Sequence, residues 1–166
     1  MSRRGAAEAT GAGEAPGPVR LTRKTLLALE AVADIAWHAR PDPVQARDVA
    51  ERQGIPQRYL EQALQALVRG GVLKGVRGPR GGYALARERR RVTAGEVVRI
   101  VSALDGEAED ALASPVGRAA VGPLWAEAQA ELLGRLDKVT MEDLCRAARR
   151  AGLPRPDAAE GRDFTI

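Results

Sequence analysis

The change of pattern at Gly70-Gly71 constrains the fold of this chain more than any other feature. Before these glycines, apolar residues recur at helical spacing; after them, two short strand-like runs, 72–76 and 83–85, flank a loop. The loop reads Arg77-Gly78-Pro79-Arg80-Gly81-Gly82, and glycine with proline between two such runs is typical of a turn. The sequence therefore predicts a group of helices followed by one β-hairpin with a basic tip.

Two short helices precede the hairpin. The first runs over about 46–52 and ends at Gly54, and the second begins at Pro56 and runs to about Arg69. Two helices joined by a short turn and followed at once by a hairpin predict a winged helix-turn-helix, with the helix-turn-helix over about 46–69 and the wing over about 72–87. On the second helix the apolar stripe is Leu60, Ala63, Leu64, Leu67 and Val68, and the outer face carries Arg58, Gln62, Gln65 and Arg69.

Four more helices are predicted, so the fold class is mainly α with a small β-hairpin wing. One runs from Thr22 to about Ala39, and another opens with a capping box at Thr93-Ala94-Gly95-Glu96. A long helix begins at Pro123, and a short one capped by Thr140 and Asp143 ends near Ala151. The long helix places Trp125, Ala128, Leu132, Leu136 and Val139 close to heptad spacing. Spacing alone leaves open whether this seam packs within its own chain or against a second one.

These elements divide the chain into five regions. We expect 1–19, which lacks periodicity and is rich in alanine, glycine, proline and glutamate, to be disordered. Residues 20–104 are predicted to form the winged helix-turn-helix domain, and 105–122 a loop with fragmentary helix. Residues 123–151 hold the long helix and the short terminal helix, and 152–166 form a flexible tail.

Positive charge is concentrated in one half of the chain. Residues 20–91 contain 15 lysines and arginines against 7 acidic residues, whereas residues 92–166 contain 9 against 13. A net excess of eight positive charges in the half that carries the predicted helix-turn-helix favours a polyanionic partner.

The predicted elements fit double-stranded DNA. A helix fits the major groove, where the outward Arg58 and Gln62 can form paired hydrogen bonds with base edges. The hairpin tip then lies near the backbone or minor groove, where Arg77 and Arg80 meet strong negative potential. The neighbouring basic strip, which includes Lys74, Arg87 and Arg89, is predicted to bind phosphates and to make binding salt-sensitive.

The sequence argues against several other classes of protein. Its apolar runs are far shorter than the roughly 20 residues of a membrane span, and residues 1–19 do not read as a signal peptide. One cysteine, Cys145, and one histidine, His38, are too few for an ordinary zinc site, and their separation in sequence makes a shared site unexpected. A lone cysteine fits the cytoplasm. No nucleophile–base pair or paired-carboxylate motif indicates an enzyme.

Several motifs, taken together, resemble one known family. They are Arg20-Leu21-Thr22, the run 48–55, Tyr59-Leu60-Glu61-Gln62, Val76-Arg77-Gly78-Pro79-Arg80-Gly81-Gly82-Tyr83, and Val139-Thr140-Met141-Glu142-Asp143-Leu144. Over about residues 20–151 the chain resembles the Rrf2 family of bacterial winged-helix transcriptional regulators, which includes iron–sulfur and nitric-oxide sensors.

The resemblance implies a homodimer on a roughly palindromic DNA site. It assigns DNA contacts to Gln57, Arg58, Tyr59, Gln62 and Arg77, and an approach to the DNA backbone to Thr22, Arg23 and Lys24. It also makes the seam of Trp125, Ala128, Leu132, Leu136 and Val139 a dimerisation surface, because the long helix of each protomer is expected to cross to its partner.

Three departures from the family pattern are visible. The first helix carries Leu26-Leu27 where the family often has an arginine and a tyrosine, and Pro56 and Arg58 replace small residues of the recognition helix. The loop 105–122 lacks the three cysteines of cluster-binding members. We therefore expect no cofactor, and control by a metabolite, by a protein partner or by abundance. The alternative is a winged-helix protein-interaction module with little specific DNA binding.

Overall fold

The computed structural model describes residues 21–39, 42–105, 112–154 and 156. It contains six α-helices and one two-stranded antiparallel sheet, so the chain is mainly helical with a hairpin, as predicted. In chain order the elements are α1 (Arg23–His38), α2 (Ala46–Gln53), α3 (Arg58–Arg69), β1 (Leu73–Val76), β2 (Gly82–Leu85), α4 (Ala94–Ser102), α5 (Gly122–Leu136) and α6 (Met141–Arg150). Short 3₁₀ turns lie at Arg89–Arg91 and Ala103–Asp105, and a π-helical turn lies at Gly117–Val121.

Local sequence signals set the ends of several helices. Thr22 caps α1 by accepting a hydrogen bond from the Thr25 amide, and Gly54 ends α2 in the left-handed conformation with φ of 65°. A complete capping box joins Thr140 and Asp143 at the start of α6. At α4 only one half of the predicted capping box forms. The Thr93 hydroxyl accepts from the Glu96 amide, but the Glu96 carboxylate binds Arg87.

Two helix starts differ from the predicted ones. Helix α3 begins at Arg58, because the Pro56 and Gln57 carbonyls accept from Tyr59 and Leu60 and form a tighter turn before it. Helix α5 begins at Gly122, and the π-helical turn directly before it lies inside the predicted loop 105–122. Pro123 lies at the second position of α5, where the π-helical turn passes into the α-helix. The predictions for 1–19 and for 157–166 lie outside the described residues.

Helix α1 forms the centre of the core. Val32 and Ile35 are completely buried, and α1 packs against α3, α4 and α6. Leu64 and Leu67 of α3 and Val97 and Val101 of α4 close the same cluster. Burial of one such aliphatic side chain contributes roughly 1.5–3 kcal/mol, so this core fixes the orientation of the helix-turn-helix.

The wing is tied to the segment before α2. Strands β1 and β2 pair in the register Leu73↔Leu85 to Val76↔Gly82, and Val44 forms a further bridge with Tyr83. The Val44 amide donates to the Tyr83 carbonyl at 2.9 Å, and the Tyr83 amide donates back at 2.7 Å. A Cβ at Gly82 would lie 2.4 Å from the Val44 carbonyl oxygen, so this close approach requires glycine. The wing and the helix-turn-helix are therefore joined by backbone hydrogen bonds.

Candidate nucleic-acid interface

The outer face of α3 is exposed along the positions that the sequence singles out. Arg58, Tyr59 and Gln62 are all exposed, while Leu60, Ala63 and Leu64 of the same helix are buried. Tyr59 remains 58% exposed although it is aromatic, and the Arg58 guanidinium lies 5.5 Å from the centroid of its ring. Gln57 precedes the helix and is also exposed. This face offers hydrogen-bonding groups and a flat aromatic surface to a ligand.

An open cleft of about 560 Å³ separates the start of α1 from α3. It brings together two groups of predicted site residues that lie more than thirty positions apart in the sequence. Thr22 stands beside it as the N-cap of α1. The cleft is lined by Arg23, Lys24, Leu27, Gly54, Ile55, Pro56, Arg58, Tyr59 and Gln62.

The wing tip presents the remaining predicted site residues. Lys74, Arg77 and Arg80 are exposed, and the Gly81 amide donates to the Gly78 carbonyl at 2.9 Å to close the turn. Gly78 adopts a φ of 110°, which favours glycine. A Cβ at Gly81 would lie 2.3 Å from the Val76 carbonyl oxygen. The glycines thus allow a narrow hairpin that carries two arginines at its tip.

Part of the predicted phosphate-binding strip makes contacts within the protein. The Arg87 guanidinium donates to the Gly71 and Arg91 carbonyls at 3.3 and 3.1 Å and to the Glu96 carboxylate at 2.5 Å. Arg89 is largely buried and lies 4.0 Å from Glu142. The side chains of Arg87 and Arg89 therefore hold the base of the wing against α4 and α6, and their action on DNA phosphates stays a prediction.

Lys24, one of the cations of the cleft, forms an ion pair with Asp105, which follows α4. Its Nζ atom lies 3.1 Å from Asp105 Oδ1, and the two side chains are 30% and 22% exposed. Asp105 closes the 3₁₀ turn that follows α4, 81 positions away in the sequence. Sequence reasoning did not identify Asp105, because no local spacing connects the two residues.

The residues of the predicted dimerisation seam differ in their exposure within the single chain. Trp125 is 63% exposed and Ala128 is exposed, whereas Leu132, Leu136 and Val139 are half-buried. Leu136 and Val139 pack on the core of their own chain. Further large apolar side chains that the seam did not include are also exposed near α5 or at the start of α1: Leu21, Leu26, Val116, Val121 and Leu124.

The C-terminal half of the seam borders an apolar cleft. This cleft has a volume of about 320 Å³ and lies between α1, α4 and α5. Leu132 and Leu136 of the seam line it together with Leu26, Leu29 and Val98. The exposed apolar surface therefore continues from α5 onto α1.

A third cleft, of about 230 Å³, lies between α1, α2 and α6 and brings Cys145 and His38 to one site. The expectation that they would not converge is wrong, because α1 and α6 pack side by side. His38 Nδ1 lies 3.2 Å from the Asp34 carboxylate, which also forms an ion pair with Arg52. Among the described residues, no group of three or more His, Cys, Asp or Glu side chains is arranged to hold a metal ion.

The donor set does not fit an iron–sulfur cluster. Such clusters are held by several thiolates, usually four, and the chain contains one cysteine, which is 2% exposed. The carboxylates of the segment 105–122 are hard oxygen donors that suit a cluster poorly.

No helix within the described residues is long and apolar enough to cross a membrane.

Comparisons with known proteins agree with this architecture. A family model described as Rrf2, iron-dependent transcriptional regulator, matches residues 21–147. The HTH-type transcriptional regulator IscR of Photobacterium profundum is 34% identical over 131 residues, covering 77% of this chain and 76% of that protein. The structure of T. potens IscR has a TM-score of 0.65 at 29% identity and covers 84% of this chain and 96% of that one.

CymR (YrzC), the global cysteine regulator of B. subtilis, has a TM-score of 0.62 at 25% identity, covering 77% of this chain and 97% of that one. These relatives are regulators and not enzymes. Since the family model spans most of the chain, this protein is a winged-helix transcriptional regulator of the Rrf2 family.

Proposed function

We propose that the protein binds a roughly palindromic site in double-stranded DNA as a homodimer, through α3 and the wing, and without an iron–sulfur cluster. The observation that carries the proposal is the 560 Å³ cleft, which gathers Arg23, Lys24, Arg58, Tyr59 and Gln62 on one exposed face. The basic tip of the wing supplies a second contact surface.

The two surfaces have different roles in this proposal. Arg58 and Gln62 project from α3 and read base edges in the major groove, while Gln57 and Tyr59 contact the flanking backbone and bases. Thr22, Arg23 and Lys24 bind the backbone from the start of α1, where unpaired amides and positive charge favour phosphate. Lys74 and Arg80 neutralise phosphates, and Arg77 enters the minor groove.

A second copy of the chain covers the exposed apolar surface. Trp125 and Leu124, with 63% and 66% of their surface exposed, project near Val116 and Val121 at the N-terminal end of α5. Contiguous surface of this kind marks an interaction site, and a two-fold axis lets identical surfaces cover each other. A two-fold dimer presents two recognition helices and so favours a palindromic site.

The missing thiol ligands support control without a bound cluster. A metabolite or a protein partner is then the signal, or the protein acts through its abundance. Cys145 is expected to serve as a packed thiol of α6, so Cys145→Ser is expected to bind DNA like the parent.

Selection of genomic DNA by the intact protein tests the proposal. Fragmented genomic duplex is mixed with the protein at several salt concentrations, and the retained fragments are sequenced. We expect retention to fall steeply with salt and the retained fragments to share an inverted repeat. Retention of no DNA at low salt would instead favour a winged-helix protein-interaction module.

Protein purified without oxygen is expected to be colourless, and stoichiometric iron and sulfide would contradict the cluster-free part.

A further inference from the structure

We propose that Asp105 is a built-in competitor for DNA phosphate at Lys24, and thereby lowers the affinity of the protein for DNA. This inference rests on the proposed function, because it concerns the same cleft. Lys24 lines the cleft between α1 and α3, yet its ammonium lies 3.1 Å from the Asp105 carboxylate.

The packing of the core holds the two charges together. Lys24 is in the first turn of α1 and Asp105 ends the 3₁₀ turn after α4, and α1 and α4 pack closely against each other. Both side chains are largely shielded from water, with 30% and 22% of their surface exposed. Their attraction is therefore less screened by salt than that of two fully exposed groups.

The other two cations of the cleft have different surroundings. Arg23 is exposed, and Arg58 lies over the uncharged ring of Tyr59. Among the described residues that line this cleft, Lys24 is the cation for which the structure shows an ion pair with a carboxylate. A phosphate that approaches Lys24 must displace Asp105 or share the ammonium with it, and in either case the negative carboxylate opposes the approach.

The expected consequence is a tighter complex when the carboxylate is neutralised. Removing a partly exposed ion pair changes an equilibrium constant by roughly two- to fivefold. Since phosphates occur in every duplex, Asp105→Asn should tighten binding to all sequences alike. It should also steepen the salt dependence by up to about one counter-ion, because Lys24 becomes available to a phosphate.

The experiment measures the dissociation constant of the intact protein for a mixed-sequence duplex by fluorescence anisotropy at several salt concentrations. Four proteins are compared: the parent, Asp105→Asn, Lys24→Gln and the double variant. Glu131→Gln on α5 is the matched control, since it makes the same change of charge outside the cleft. We expect Asp105→Asn to bind about two- to fivefold more tightly than the parent. In the Lys24→Gln background, its effect should shrink to that of Glu131→Gln.

Three outcomes overturn the inference: weaker binding by Asp105→Asn, tightening no greater than that of Glu131→Gln, or tightening that persists without Lys24. Asp105→Glu keeps the charge and should bind like the parent, and Asp105→Ser repeats the neutralisation with a smaller side chain if the asparagine variant is unstable. A parent protein that binds no duplex at any salt concentration refutes the proposed function itself. A parent that binds normally while Asp105→Asn is unchanged refutes only this inference.

Discussion

At the scale of single residues, α3 and the wing are expected to differ in how they respond to sequence. In the proposed complex Gln62 contacts base edges, so Gln62→Ala should cost about 1–3 kcal/mol on a cognate site and little on a scrambled duplex. Lys74 is proposed to contact phosphate, so Lys74→Ala should weaken both complexes equally and reduce the salt slope by about one. Binding titrations on the two duplexes measure both effects, and equal losses for both variants on both duplexes would contradict this division.

The glycine at position 81 provides a test of the wing that leaves its charges in place. In Gly81→Ala the new Cβ meets the Val76 carbonyl oxygen at 2.3 Å, so the narrow tip cannot form. We expect DNA affinity to fall severalfold while the helical circular-dichroism spectrum is retained. Gly75→Ala is the matched control, because nothing lies within 4 Å of a Cβ at that strand position. Equal affinity of the two variants would show that the tip does not contact DNA.

The exposed positions of α3 were more predictable than the ion-pair partners of its basic neighbours. The outward face of α3 follows from helical spacing, so Arg58 and Gln62 could be assigned from sequence. The ion pairs of Lys24 with Asp105 and of Arg87 with Glu96 could not, because neither spacing places the partners on one helix face. A charged residue in a basic strip has the same appearance in sequence whether it faces DNA or holds a loop.

At the scale of elements, a bidentate ion pair joins α4 to the end of α5. Arg99 Nη1 and Nη2 donate to Asp137 Oδ1 and Oδ2 at 2.6 and 2.5 Å. These hydrogen bonds hold the pKa of Asp137 below its ordinary value, against the opposing effect of desolvation. They also raise the pKa of Arg99.

The stability that Asp137 contributes should therefore depend on pH. A lowered pKa in the folded state stabilises the protein above the ordinary aspartate pKa of about 4, and this stability is lost as the pH falls through the lowered value. Asp137→Asn should reduce the free energy of unfolding by about 0.5–1 kcal/mol at pH 7, because the pair is partly exposed. Urea unfolding at fixed protein concentration should show the difference shrinking toward pH 3. A difference that stays constant with pH would exclude the ion pair as its source.

Elements with strong local signals were predicted better than those held by distant contacts. Thr140 caps its helix as predicted, the first helix begins directly after Thr22, and the glycine-rich hairpin forms where predicted. The bridge of Val44 with Tyr83 was missed, because one paired residue leaves no alternating pattern. The π-helical turn before α5 lies in the segment that was predicted as a loop with fragmentary helix, and at its start the Ser114 hydroxyl accepts from the Gly117 amide at 2.9 Å.

At the scale of the whole molecule, the exposed apolar surface predicts the assembly. Light scattering at micromolar concentration should give twice the chain mass of 17.7 kDa. Trp125→Glu places a charge in the proposed interface, so it should shift the protein toward the monomer and weaken operator binding. Leu153→Glu is a suitable control, because Leu153 is also exposed but lies after α6. A parent that is monomeric at this concentration would refute the dimer.

The clamp between Arg99 and Asp137 has a consequence for the geometry of the operator. A Cβ at Gly95 would lie 3.0 Å from the Asp137 backbone nitrogen, so α4 and the end of α5 approach each other closely beside this ion pair. If α5 joins the two protomers, the two recognition helices of the dimer are held at a fixed separation. Successive major grooves on one side of the duplex recur about every 10 base pairs. If one half-site is displaced by half a turn of the duplex, it faces away from its recognition helix. We therefore expect the dimer to select DNA by the spacing of the half-sites as well as by their base sequence.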